Sequence, residues 1–233
     1  MPQLYLPDAR FRSPTAVDGR ADMRDENVYS ALCAQHGGAG QQKVFTIPQG
    51  QAIPRLAGSG ILPATSAHQA TFTELTTNLT KAGELGSAIG DAGIRAIGIA
   101  IENAYVIADT GVLNSYGGGQ QEINEILSKT FFQLKIAGKL QIQGASFMFP
   151  APGGAFGGVS TTAATATVSQ LTNGWPTAVR RLKLPILVGR TDTIEGVFGV
   201  AGGDSLNFNV TSGTGQPTLV WFELMTLVKG DVR

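Results

Sequence analysis

The sequence predicts an all-β protein with one main domain, on three observations. Apolar and polar residues alternate in several short segments, as they do in strands with one buried face. Stretches rich in glycine and proline separate these segments, and the chain contains 31 glycines and 11 prolines. At 233 residues the chain is also long enough for a single β domain to bury a stable core without disulfides.

The N-terminal segment differs in composition from the rest. Its first 26 residues hold nine charges of both signs, with five acids interleaved with Arg10, Arg12, Arg20 and Arg24. This pattern predicts an extended arm, either a solvated tail or an arm that becomes ordered against neighbouring subunits. The stretch "CAQHGGAGQQ" then predicts a hinge. We therefore divide the chain into an arm and hinge, 1–42, and a main domain, 43–233.

The first strands follow this hinge. "KVFTIPQG" begins the strand pattern, and later Ile97, Ile99 and Ile101 alternate with small residues. Ile94, Ile97 and Ile101 would also line one face of a helix. The central Gly98 and the β-branched residues favour a strand, because both residue types lower helix propensity. We expect these isoleucines to point into a common core.

A hairpin is predicted in the middle of the chain. In "KTFFQLKIAGKLQIQG", apolar and polar residues alternate on both sides of Ala137 and Gly138, which form a two-residue turn. The preceding "GGGQQEINEILSKT" places Ile123, Ile126 and Leu127 on one helical stripe. This segment predicts one short connector helix.

The C-terminal part predicts further strands. Leu182, Leu184, Ile186 and Val188 alternate with polar residues, and Pro185 puts this strand at a sheet edge or a bulge. Leu206, Phe208 and Val210 predict a short strand. The segment "TLVWFELMTLVKG" is apolar on both faces, which favours a strand in the centre of a sheet, about 36 Å long, over a buried helix. Residues 150–176, rich in Gly, Ala and Thr, predict a long exposed loop.

Several chemistries lack their required residues. The glycine-rich stretch 83–93 has no Gly-Lys-Ser/Thr tripeptide and no G-x-G-x-x-G fingerprint, so it predicts no phosphate site. Asp192, Glu195 and Asp204 lie beside glycine-rich turns, where acids commonly form turns, and we interpret them so rather than as a hydrolase pair. We predict no enzyme, no catalytic, cofactor-binding or metal-binding residue, and no small-molecule substrate.

The remaining reactive residues give no site. Cys33 is the single cysteine, which excludes a disulfide framework and a thiolate metal cluster. His36 and His68 lie in Gly/Pro-rich surroundings and are interpreted as loop histidines. The acceptor pattern Asn78-Leu79-Thr80 is interpreted as chance, since the N-terminus has no apolar signal run. The sequence also has no run of about 18 uncharged apolar residues, so it predicts no membrane helix. A formal net charge of +0 argues against general nucleic-acid binding.

About eight to ten strands, long loops and a neutral surface together suggest a jelly-roll β-sandwich. A single jelly roll suits 233 residues better than a double one, which would need about sixteen strands. The sequence resembles the jelly-roll major capsid proteins of tailless icosahedral bacteriophages. The resemblance depends on "TTNLTKAGEL", "NEILSKTFFQLKIAGKLQIQG" and "RRLKLPILVGRTDTIEGVFGV", followed by the closing hydrophobic strand.

The resemblance implies a structural virion protein that assembles with its own copies into an icosahedral shell around the genome. Such a protein is made in the host cytoplasm and resides in the virion. Its partners would be its own copies and other virion proteins, with packaged nucleic acid or an internal membrane as further contacts. Two alternatives are an accessory virion protein (cement, spike base or tail) and a carbohydrate- or ligand-binding β-sandwich module.

Overall fold

The described part of the chain contains ten strands and two short helical turns. In a computed structural model of the chain, the described residues are 23–34, 37–56, 71–81, 91–101, 125–150, 160–162, 165–167, 179–189, 191–207 and 218–229. The strands are β1 (Met23–Ala34), β2 (Gln41–Val44), β3 (Ala92–Ile101), β4 (Thr130–Ile136), β5 (Lys139–Ala145), β6 (Ser160–Thr162), β7 (Thr165–Thr167), β8 (Arg180–Val188), β9 (Ile194–Val200) and β10 (Thr218–Lys229). Residues 125–129 are α-helical, and Ser146–Met148 form a 3-10 helix.

Eight of these strands form two four-stranded sheets. Sheet 1 has the order β1-β10-β3-β8, and sheet 2 has the order β2-β9-β4-β5. All pairings within the sheets are antiparallel. Strands β6 and β7 form a separate two-stranded ribbon. The predicted all-β sandwich is therefore confirmed.

The two sheets enclose one aromatic and aliphatic core. The ring of Phe222 on β10 lies 5.5 Å from the ring of Phe132 on β4, in a stacked arrangement, and 5.1 Å from the ring of Phe198 on β9, edge to face. Both are favourable geometries for aromatic pairs. These contacts join sheet 1 to sheet 2 across the centre of the sandwich.

The strand prediction for the isoleucine stretch is confirmed. Ile94, Ile97, Ile99 and Ile101 all lie in β3 and all belong to the common core. The step from Ile94 to Ile97 breaks the two-residue alternation because the register shifts on both sides of β3 near Arg95. This bulge explains why the same residues also fit a helical period.

The predicted central position of the last strand is also confirmed, since β10 lies between β1 and β3. Phe222, Leu224 and Val228 face the core and are buried. Most side chains on the opposite face are half-buried, Trp221 among them. The apolar character of both faces therefore corresponds to one buried face and one partly covered face.

The hairpin and edge-strand predictions are confirmed. Strands β4 and β5 pair, and the turn residues Ala137 and Gly138 have φ values of 48° and 74°. Two positive φ values define the type I′ turn, whose twist matches that of a two-residue hairpin. Strand β8 is the edge of sheet 1, and Pro185 lies where its register with β3 is interrupted.

The connector helix is confirmed over residues 125–129, where Ile126 is buried and Leu127 packs against the core. Ile123 lies outside the described residues, as do Phe208 and Val210. In the part of the chain that the structure describes, no helix has the length and apolar character needed to cross a membrane.

Two predicted boundaries require correction. Residues 23–34 form β1, whose Val28 and Leu32 are buried in the core, and β2 begins at Gln41, so the predicted arm and hinge extend too far. The mixed charges at the start of β1 are not typical of a strand, although the second half of β1 is apolar. The predicted loop 150–176 contains the paired strands β6 and β7, whose threonines have a high β propensity.

Candidate interaction surfaces

β1 is the outer strand of sheet 1, and two other segments form hydrogen bonds with its unpaired edge. The backbone amide of Tyr29 donates to Asn78 Oδ1 at 3.0 Å, and the side-chain amide of Asn78 donates to the Asn27 carbonyl at 2.6 Å. Farther along, the Cys33 amide donates to the Pro54 carbonyl at 2.9 Å. An exposed edge strand is a template for pairing with another chain, so these contacts protect β1 from edge-to-edge association.

A turn projects from this protected edge. The Tyr29 hydroxyl donates to the carbonyl of Glu74, which fixes the turn against β1. The next residue, Leu75, is 79% exposed, and Glu74 is exposed as well. We call residues 74–76 the Glu74 turn. It presents one carboxylate and one leucine side chain to solvent.

The outer face of sheet 1 carries a partly buried carboxylate. Glu223 on β10 accepts a hydrogen bond of 2.7 Å from the side-chain amide of Asn27. Burial raises the pKa of Glu223 above its usual value because desolvation disfavours the charged form. Its cross-strand neighbour on β3 is Gly98, which provides no compensating charge.

The opposite side of the sandwich is formed by the edge strands β5 and β8. The chain leaves β5, passes through the 3-10 helix and reaches sheet 1. There the Phe149 carbonyl accepts a hydrogen bond of 2.8 Å from the Ile99 amide of β3. The guanidinium of Arg180 on β8 lies 4.8 Å from the centroid of the Phe149 ring, a cation–π contact. This crossing places β5 and β8 on the same side. We call β5, residues 146–150 and β8 the β5–β8 edge.

Apolar and basic side chains are concentrated on the β5–β8 edge. It holds four of the five large hydrophobic residues that are exposed among the described residues: Leu140 (52%), Phe147 (62%), Met148 (44%) and Leu184 (67%). Arg181 and Lys183 of β8 are also exposed. The sequence contains no acid in residues 131–150 or 179–189. An exposed surface of this composition is typical of a binding surface.

Ion pairs occur on sheet 2 and in the helical turn that precedes β4. Glu195 on β9 contacts Lys43 at 2.6 Å and Lys135 at 3.6 Å, and the hydrogen bond from Lys43 holds the pKa of Glu195 below its usual value. Glu125 and Lys129 of the helical turn lie 2.6 Å apart. Burial raises the pKa of Glu125, but its hydrogen bonds from Lys129 and from the Asn207 amide outweigh this and lower it. These pairs connect neighbouring segments within the fold.

The predicted turn role of two acids is confirmed by hydrogen bonds. Asp192 Oδ2 accepts from the Gly189 amide at 2.8 Å, and Asp204 Oδ1 accepts from the Ser205 amide at 2.8 Å. Glu195 instead lies within β9 and pairs with lysines.

No group of three or more potential metal ligands occurs in the described part of the chain. Cys33 is buried, and burial raises its pKa to about 11, which keeps it a thiol near neutral pH.

The structure places only one of the four predicted arm arginines. Arg24 lies in β1 opposite Val228 of β10, so its backbone belongs to sheet 1. Arg10, Arg12 and Arg20 lie outside the described residues, as do His36, His68 and most of the glycine-rich stretch 83–93. The β5–β8 edge is not evident from the sequence because its basic residues lie in two segments that are far apart along the chain. The absence of acids from both segments was the available signal.

The comparisons with known proteins add no family. The sequence matches no protein-family model, and a search of curated proteins finds no match. The candidate surfaces are therefore interpreted from their own geometry and charge.

Proposed function

We propose that the sandwich is a single jelly roll. The supporting observation is the nesting of its strand pairs: β1 with β10, β2 with β9, β3 with β8 and β4 with β5. A long antiparallel hairpin that is rolled into two sheets brings its strands together in these pairs, and the β10–β3 and β9–β4 pairings then complete the sheets. The β6–β7 hairpin is an insertion between β5 and β8.

We further propose that the protein is a structural virion subunit, the major capsid protein of an icosahedral shell. The nested strand order carries this proposal, because jelly rolls of this kind are the recurrent building blocks of viral capsids. They also occur in lectins and cupins, so the order alone does not select a capsid. Two further observations favour assembly: only 15% of the residues are charged, and the β5–β8 edge exposes apolar side chains.

In this proposal the chain assembles through surface complementarity and performs no chemistry. Residues 1–22 serve as the arm that binds neighbouring subunits, with Arg10, Arg12 and Arg20 as its basic contacts. Other virion proteins, packaged nucleic acid and an internal membrane are the further candidate contacts. The proposed location of the assembled protein is the virion.

Electron microscopy of the purified protein tests the capsid role. We expect closed shells, or capsomers that convert to shells as protein concentration or ionic strength rises. Open rings or stacks that never close would favour the accessory virion role. A protein that remains monomeric under all these conditions would contradict the proposal, and glycan binding by that monomer would favour a carbohydrate-binding module.

A further inference from the structure

We propose that the two lateral edges of the sandwich bind one another between copies, with the Glu74 turn of one subunit docking on the β5–β8 edge of the next. This inference rests on the proposed self-assembly and names the contact that drives it. Its occupant is a second copy of this chain.

The charges of the two surfaces are complementary. Arg181 and Lys183 are exposed on β8, and residues 131–150 and 179–189 contain no acid. Glu74 is exposed at the tip of its turn. An anionic partner would satisfy the basic edge, and charge pairing across an interface fixes orientation and register.

The exposed apolar side chains are distributed in the same complementary way. Four of the five that are exposed among the described residues lie on the β5–β8 edge, and the fifth, Leu75, is adjacent to Glu74. Docking of the turn would bury Leu75 against Leu184 or Phe147 while it brings Glu74 to the basic residues. Assembly would thus remove from water the apolar surface that Leu75 and its contacts expose in the monomer.

The placement of the two surfaces determines the kind of assembly. β1 and β8 are the opposite outer strands of sheet 1, and the Glu74 turn is fixed to β1 by Tyr29. A contact between opposite edges is heterologous, since each copy donates one surface and receives with the other. Repetition of such a contact produces a closed ring when the rotation closes, as a capsomer requires.

A charge exchange tests this contact. We expect Lys183→Glu and Glu74→Lys each to raise the protein concentration needed for assembly by about tenfold or more, because repulsion replaces attraction at every repeated contact. The double variant should recover assembly to within about threefold of the original protein, because the pair is restored in the opposite sense. Ser128→Glu is the matched control, since Ser128 is exposed and lies on neither edge.

Light scattering and electron microscopy measure assembly, and urea unfolding verifies that each variant is folded. If the original protein assembles and both single variants assemble equally well, the contact is wrong while the capsid role stands. If the original protein never assembles, both proposals fail. If Lys183→Glu assembles normally but no longer binds vesicles that contain anionic lipid, the edge is a membrane surface and the contact between copies is overturned.

Discussion

Gly196 shows how a single residue permits the core to close. It lies in β9, and a Cβ atom there would be 2.4 Å from Val44 Cγ2, 3.0 Å from Phe132 Cε2 and 3.1 Å from Phe45 Cδ2. All three neighbours are buried. Glycine is thus required by the close approach of these side chains, since buried neighbours have little room to move.

We expect Gly196→Ala to lower the free energy of unfolding by about 1–3 kcal/mol, because the added methyl group overpacks the core. Gly93→Ala is the matched control, since a Cβ atom there would meet its neighbours at ordinary distances of 3.5 and 3.8 Å. Urea unfolding followed by tryptophan fluorescence measures both. Equal effects of the two substitutions would contradict the packing argument.

Glu223 gives the fold a pH dependence. Its folded pKa is raised above the ordinary 4.5, so the unfolded chain releases this proton at a lower pH than the folded chain. The contribution of Glu223 to stability is therefore complete below about pH 4.5 and declines as pH rises through the folded pKa.

The variant Glu223→Gln removes this titration and keeps an oxygen that accepts the hydrogen bond from Asn27. We expect the variant to match the original protein in stability at about pH 4 and to exceed it at about pH 7. Urea unfolding at both pH values measures the difference. A difference that does not change with pH, or that favours the original protein at pH 7, would show that burial does not govern this carboxyl group.

Among the elements, β1 illustrates how an edge strand is protected by a side chain instead of another strand. Asn78 accepts from the Tyr29 amide and donates to the Asn27 carbonyl, which are backbone groups on the same edge. It therefore makes two of the contacts that a neighbouring strand would make. Leu79, the next residue, is buried and holds the segment in place.

We expect Asn78→Ala to destabilise the protein by about 1–3 kcal/mol, because a backbone donor and a backbone acceptor lose their partner. Association through the uncovered edge should also increase. Thr80→Ala is the control, since Thr80 is exposed and its loss likewise removes the acceptor pattern for glycosylation. Chemical unfolding and light scattering measure both effects; if Asn78→Ala behaves like Thr80→Ala, the edge contacts contribute little.

At the scale of the whole molecule, β1 belongs to the folded domain, so it is not part of the segment proposed to act in assembly. It pairs with β10 along all twelve residues, from Met23 opposite Lys229 to Ala34 opposite Thr218. Val28 and Leu32 contribute to the core. The main domain therefore includes β1, and a domain boundary after residue 42 is wrong.

Two deletions test this division. We expect removal of residues 1–22 to leave the urea midpoint unchanged and to abolish or weaken assembly, because only the arm is lost. Removal of residues 1–42 should prevent stable folding, since it deletes β1 and leaves β10 without its partner. Circular dichroism and electron microscopy measure folding and assembly. Normal assembly after removal of residues 1–22 would exclude the arm from that process.

The sequence by itself determined the local features. Strict alternation around Ala137 and Gly138 specified the β4–β5 hairpin, because both pattern and turn chemistry act within a few residues. Pro185 specified an edge strand, since proline cannot donate to a sheet ladder. The apolar character of β10 specified a central strand for a similarly local reason.

Only the tertiary structure decided which distant segments meet. β1 has polar residues at its start and gains its stability from β10, almost 200 positions away, so local pattern did not reveal it. The β5–β8 edge combines two segments some 30 residues apart through one crossing at Phe149. Such surfaces arise from long-range strand pairing, and the energy of that pairing is not encoded in the neighbouring residues of either strand.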